Sequence, residues 1–257
     1  YWEYYHRLLG RIIGLVILAP FLYFLFKKCL NKDFKISFFI VSFLILCQGF
    51  MGWDMVSSGL STNVTVSHFR LSAHLFLAFV ILSCVLWNYL NINEEKNISF
   101  FNLSKKNIIL MFFIFLLFLQ IVLGAFVSGL DAGKIYQTWP MMNNNFFPDD
   151  ITYEEFFDLN NRSTVQFLHR IVAYLIFFVF LLYFYGIIKN KIFFLYKNIF
   201  IVFSLLIVQM SLGIITLLSG VNIYLASTHQ ITSVFLLISS LILHYKNFTQ
   251  NINNSDL

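Results

Sequence analysis

Glu3, His6, Arg7 and Arg11 stand together at the start of a stretch that then runs apolar to Phe26. Ionisable side chains at the mouth of such a stretch are costly unless partnered, so by default they mark a working site. The theme returns three times along the chain. His74 lies in Phe69-Arg70-Leu-Ser-Ala-His74-Leu, His169 in Gln166-Phe-Leu-His169-Arg170, and His229 in Ala226-Ser-Thr-His229-Gln230. Imidazole binds metals and carries protons, so four such histidines point to a metal or macrocycle site.

The neighbours narrow the choice. The residue one helical turn on, on the same face, is Gly10 for His6, Ala78 for His74, Ala173 for His169 and Ser233 for His229. All are small, which leaves room beside a ligand; tight helix packing asks for the same residues, and Gly10-xxx-Gly14 fits it directly. Zinc and copper sites add carboxylate or thiolate ligands close by. Histidines paired across helices without such ligands suit a bis-histidine haem in a helical bundle. Arg7, Arg70 and Arg170 lie beside these histidines, and guanidinium groups clamp carboxylates such as haem propionates. Glu3 precedes His6 by three residues and so shares its face, where a carboxylate could relay protons or stabilise developing positive charge. Pairing with Arg7 at the next turn is the simpler role. His68 and His244 fall on other faces or ends and read as ordinary packing residues.

The elements that must position these groups are membrane helices. The chain of 257 residues is 59% hydrophobic and 11% charged, with 33 Phe, roughly half the charge of a soluble domain. Apolar segments long enough to span a bilayer fall near 6–26, 38–56, 68–90, 108–128, 164–188, 198–218 and 226–245. This makes an all-α integral membrane protein with seven transmembrane helices. The lysines, Lys134 aside, gather in alternate connections and at the end (Lys27, Lys28, Lys32, Lys35; Lys96, Lys105, Lys106; Lys189, Lys191, Lys197; Lys246), which sets that side inward. The histidines then lie in one layer near the outer surface. No basic run is interleaved with aromatics, so nucleic acid is excluded as a partner. Cys29, Cys47 and Cys84 are scattered and form neither a disulfide framework nor a thiolate site. The outer connection 129–163 is long and acidic, either a folded cap or a solvated loop. The Asn/Lys-rich inner loops and the tail after Lys246 read as solvated.

The chain repeats internally. His6-Arg7 and His169-Arg170 each open a helix; each is followed by a helix with Gln-xxx-Gly (Gln48 to Gly52, Gln209 to Gly213) and then by a helix bearing His74 or His229. Two halves follow, 1–106 and 107–257. The second has an extra leading helix with its own Gln120-xxx-Gly124, an asymmetry that points to a helix lost ahead of Tyr1.

Taken in order, Glu3-x-x-His6-Arg7-xx-Gly10-Arg11, Gln48-Gly49-xx-Gly52-Trp53-x-Met55-Val56-x-Ser58-Gly59-Leu60, Arg70-Leu-x-x-His74-Leu and Gly124-Ala125-x-Val-x-Gly129-Leu130-Asp131-Ala132-Gly133 resemble haem A synthase, as do Trp139-Pro140-x-Met142, Gln166-Phe-x-His169-Arg170 and Thr228-His229-Gln230. The resemblance covers nearly the whole chain and is closest to the proteobacterial and mitochondrial type. It implies two pseudo-symmetric four-helix bundles, of which the first family helix is absent here. It also implies that His6 and His74 hold the substrate haem O, with Glu3 as the essential carboxylate, and that His169 and His229 hold a haem b cofactor. The implied reaction oxidises a methyl group of haem O to the formyl of haem A through a hydroxymethyl haem, with electrons from a ferredoxin-like or other donor. Haem O synthase, cytochrome oxidase assembly factors, membrane lipid and a second copy of the chain are the partners it brings into view. The location would be a bacterial or mitochondrial inner membrane, with the histidines towards the periplasm or intermembrane space. A di-haem b-type electron-transfer protein without ring chemistry is the alternative that the histidines alone allow.

Overall fold

A computed structural model describes residues 1–59, 66–95, 98–100, 107–152 and 154–253. Among these, seven helices are long and apolar enough to cross a membrane, and no strand forms beyond an isolated bridge between Met142 and Asn145. They are α1 (Trp2–Phe26), α2 (Lys32–Gly59), α3 (His68–Asn93), α4 (Ile108–Gly129), α5 (Arg162–Lys189), α6 (Tyr196–Leu218) and α7 (Ile223–Asn253). The chain is a multi-pass membrane protein. Apolar side chains such as Leu15, Phe39 and Phe178 are exposed along the helix flanks, where a bilayer would cover them.

Every expected span forms, yet several begin earlier than hydropathy alone places them. At three of them asparagine is the reason. Asn31 Oδ1 accepts from the Phe34 amide at 3.0 Å, Asn161 Oδ1 from Ser163 at 2.9 Å and Thr164 at 3.3 Å, and Asn222 Oδ1 from Tyr224 at 3.0 Å. Each satisfies amide donors that a first turn leaves without partners, so the helix starts at the cap rather than at the first apolar residue. At the other end, α7 runs on to Asn253, which corrects the expectation of a solvated tail after Lys246. His244, Tyr245 and Phe248 are buried, and Asn247 Nδ2 donates to Asn107 Oδ1 at 2.7 Å.

Two compact units emerge, Tyr1–Ile98 and Ser99–Leu257. In the first, α2 packs against both α1 and α3. In the second, α4–α5 and α6–α7 are the closest helix pairs, with α4 also meeting α7 and α5 meeting α6, a closed four-helix arrangement. Its centre is filled by aromatic and aliphatic groups such as Phe113 against Phe180, ring centroids 5.2 Å apart. Leu60, Lys96, Lys105 and Lys106, and the segment 101–106 next to the expected boundary between halves, lie outside the described residues.

The long connection between α4 and α5 is a folded cap. Asp131, in the left-handed region (φ 53°), leads a short 3-10 turn at Ala132–Lys134 and pairs with Lys134 at 2.7 Å. Tyr136, Met142 and Phe167 form a buried cluster backed by Phe147, Phe156 and Ile171. Tyr136 Oη lies 2.6 Å from Asp149 Oδ1 and 2.7 Å from Asp150 Oδ1, and Ser163 Oγ donates to Asp150 Oδ2 at 2.6 Å. Asp149 and Asp150, though exposed, thus each engage a hydroxyl donor.

Burial first, and then the two carboxylates, push the Tyr136 phenol above its ordinary value of 10.0. The folded cap therefore keeps a proton that the unfolded chain releases above about pH 10, so its stabilisation is intact below that pH and declines as the pH rises further. Thermal unfolding against pH is expected to show this alkaline loss, and Tyr136→Phe is expected to flatten it. An unchanged alkaline slope in the variant would show that Tyr136 does not hold the cap.

Candidate functional site

The Gln-xxx-Gly segments and the histidines meet in three copies of one arrangement. Gln48 Nε2 on α2 lies 3.2 Å from His74 Nε2 on α3 and donates to the His74 backbone carbonyl at 3.1 Å. Gln120 on α4 does the same to His169 on α5, at 3.2 and 3.0 Å. Gln209 Nε2 on α6 lies 3.4 Å from His229 Nε2 on α7. One turn beyond each glutamine, a glycine leaves the space the ring occupies. A Cβ on Gly52 would sit 3.3 Å from His74 Cε1, one on Gly124 3.3 Å from His169 Cε1, and one on Gly213 3.0 Å from His229 Cε1. Gln and Gly four residues apart share a helix face, so one helix offers both the donor and the gap.

The third clasp fixes a tautomer. His229 Nδ1 lies 3.1 Å from the Gln209 carbonyl, which can only accept, so the ring proton is on Nδ1 and Nε2 carries the lone pair that faces the Gln209 amide. A metal takes that lone pair, and a hydrogen bond at the other nitrogen is what selects it. His74 Nδ1 and His169 Nδ1 are buried without a partner, as are Oε1 of Gln48, Gln120 and Gln209.

His6 faces His74 with ring centroids 6.5 Å apart and planes at 62°. The two rings are close enough that they could hold one haem between them. His169 and His229 each sit in a glutamine clasp of the second unit, on α5 and α7. No group of three or more His, Cys, Asp or Glu gathers among the described residues. That donor set suits a haem, whose macrocycle supplies the equatorial nitrogens, better than zinc or copper.

The charged neighbours are engaged. Arg7 Nη2 lies 3.6 Å from Glu3 Oε2 and its Nε donates to the Glu3 carbonyl at 3.3 Å; both side chains are exposed, and no described hydrogen bond joins Glu3 to His6. Arg170 donates to the carbonyls of Tyr136 at 3.0 Å and Met141 at 3.3 Å, while its Nε is buried without a partner. It lines a small cleft with Pro140, Met142, Phe167 and Tyr174. Arg70 Nε meets Asp54 Oδ2 at 2.8 Å. Sequence reasoning had used the glutamines only as repeat markers and passed over Asp54. An aspartate inside an apolar span is itself a signal, as is the recurrence of glutamine at a fixed place on the helix before each of three histidines.

Comparison with known proteins adds a family. A family of cytochrome oxidase assembly proteins, COX15-CtaA, matches residues 1–241. A heme A synthase of Pelagibacter ubique is 47% identical over 256 residues, covering 96% of this chain and 73% of that protein. A heme A synthase of Ehrlichia ruminantium (strain Gardel) is 40% identical over 253 residues, 96% of this chain and 71% of the relative. One of Flavobacterium johnsoniae is 40% identical over 247 residues, 92% and 71%.

Proposed function

The chain belongs to the COX15-CtaA family of cytochrome oxidase assembly proteins, and from that membership we propose that it is a haem A synthase, oxidising a methyl group of haem O to a formyl by way of the hydroxymethyl haem. The observation that carries this reading is the facing pair His6 and His74, the latter clasped by Gln48 and Gly52.

In the first unit His6 and His74 hold the substrate haem. Glu3, one turn before His6, is the catalytic carboxylate that takes or relays protons at the haem edge. In the second unit His169 and His229 hold haem b, which supplies one-electron transfer. Gln48 and Gln120 release Nε2 of their histidines on ligation and retain their bonds to the backbone carbonyls, so the ring stays aimed. Arg7, Arg70 and Arg170 receive propionates. The proposed oxidant is dioxygen: each of the two oxidations takes one O2, two protons and two electrons from a ferredoxin-like or other donor and releases one water, and the second product, a gem-diol, loses a further water to give the formyl. Haem O synthase, oxidase assembly factors and a second copy of the chain are the proposed partners. The bacterial or mitochondrial inner membrane, with the histidines on the periplasmic or intermembrane side, is the proposed location, supported by the one-sided lysines.

A di-haem electron carrier is favoured by one observation, the sameness of the clasps in the two units. The Glu3–Arg7 and Asp54–Arg70 pairs break that sameness in one unit only and favour ring chemistry there. Glu3→Ala separates the two. With haem O supplied in the membrane, the variant is expected to keep its haem while haem A formation falls by about 100-fold or more, the scale of acid–base catalysis. Wild-type turnover in Glu3→Ala would remove the role given to Glu3.

A further inference from the structure

The three clasps differ at one register position. Six residues after Gln48 and four before His74, the α2–α3 pair carries Asp54 and Arg70, joined at 2.8 Å. At the same offsets α4–α5 carries Phe126 and Val165, both buried in one apolar cluster, and α6–α7 carries Ile215 and Leu225. An ion pair therefore replaces an apolar pair in one of three otherwise matching helix pairs, beside the histidine read as the substrate ligand.

We propose that Asp54 is an exchange latch on Arg70: it holds the guanidinium and competes for it with a propionate of the porphyrin on His74. The proposal rests on the haem O reading above. Arg70 lies one helical turn before His74 and shares its face, so a carboxylate-bearing macrocycle on that histidine is within the arginine's reach. The guanidinium has several donors, and Asp54 engages it at Nε. A propionate that must share or displace this partner gains less than it would from a free arginine. Affinity is thereby held down at the site whose occupant must leave as product. The apolar pairs of the second unit impose no such competition on a haem that stays. Both Asp54 and Arg70 are partly exposed, so the effect is screened by water and moderate in size.

The test is the release of haem O from the purified full chain into an excess of a haem-scavenging apoprotein, followed by the Soret band, with haem O and its dimethyl ester compared. Asp54→Asn is expected to slow release of haem O roughly three- to tenfold, a partly screened charge-assisted bond, and to lower KM and kcat together. Arg70→Leu is expected to speed release and erase the preference for the free acid over the ester. The double variant Asp54→Ile with Arg70→Leu copies the Ile215 and Leu225 arrangement and is expected to lack the preference while retaining haem b, which controls for folding. Release from Asp54→Asn at or above the wild-type rate would overturn the latch, as would an acid preference that survives Arg70→Leu. If wild type takes up haem O, those outcomes leave the haem A synthase reading intact; if it takes up none, that reading and the latch fall together.

Discussion

His229→Ala is expected to lower the second unit's affinity for haem b by more than about 100-fold, so that the purified protein loses b-type absorbance. Loss of an outer-shell partner alone costs 10–100-fold in metal affinity, and here the ligand itself goes. The change also leaves the Gln209 carbonyl and amide without the ring they bond. His169→Ala is expected to act in the same direction, and the double variant to be at least as severe, because each single variant still leaves one histidine that could hold the haem. The pyridine haemochrome spectrum of each variant, with haem O withheld, is the measurement. Full haem content in either single variant would contradict the assignment of this pair.

Gly213→Ala is the second large effect and has a different cause. The new Cβ would stand 3.0 Å from His229 Cε1 and 3.5 Å from Nδ1, so the ring must move off the Gln209 carbonyl. Overpacking costs about 1–3 kcal/mol, whereas alanine favours the helix by about 1 kcal/mol over glycine. The two nearly offset in stability, while the displaced ring loses the geometry that ligation needs. Haem affinity is expected to fall about 10- to 100-fold with a small change in the melting temperature of the apoprotein. Gly52→Ala and Gly124→Ala, at 3.3 Å, are expected to follow in the same direction with smaller effects. Equal and full haem binding in all three variants would show that the glycines are not cradles.

The seven spans could be read from hydropathy because a bilayer demands long apolar helices and little else. Their beginnings could not, since asparagine caps at Asn31, Asn161 and Asn222 act through amide bonds that hydropathy does not see. The cap over α5 was ambiguous for a related reason. Asp149 and Asp150 look like solvated acids in sequence, and only the fold turns them onto Tyr136 and Ser163. The four histidines stood out because ionisable groups are rare in apolar helices. What each would touch was out of reach, because Gln48, Gln120 and Gln209 lie 26, 49 and 20 residues away from their histidines. Asp54 could have been found by the rule that singled out the histidines, and Arg70 by asking which acid would pair with it.

Ring oxidation at the His6–His74 site is tested most directly by extracting the pigments of the purified membrane protein after haem O is supplied, with chromatography and mass spectrometry. The expected result is haem b together with haem O, its hydroxymethyl form or haem A. Haem b alone at two per chain would contradict it and leave an electron-transfer protein.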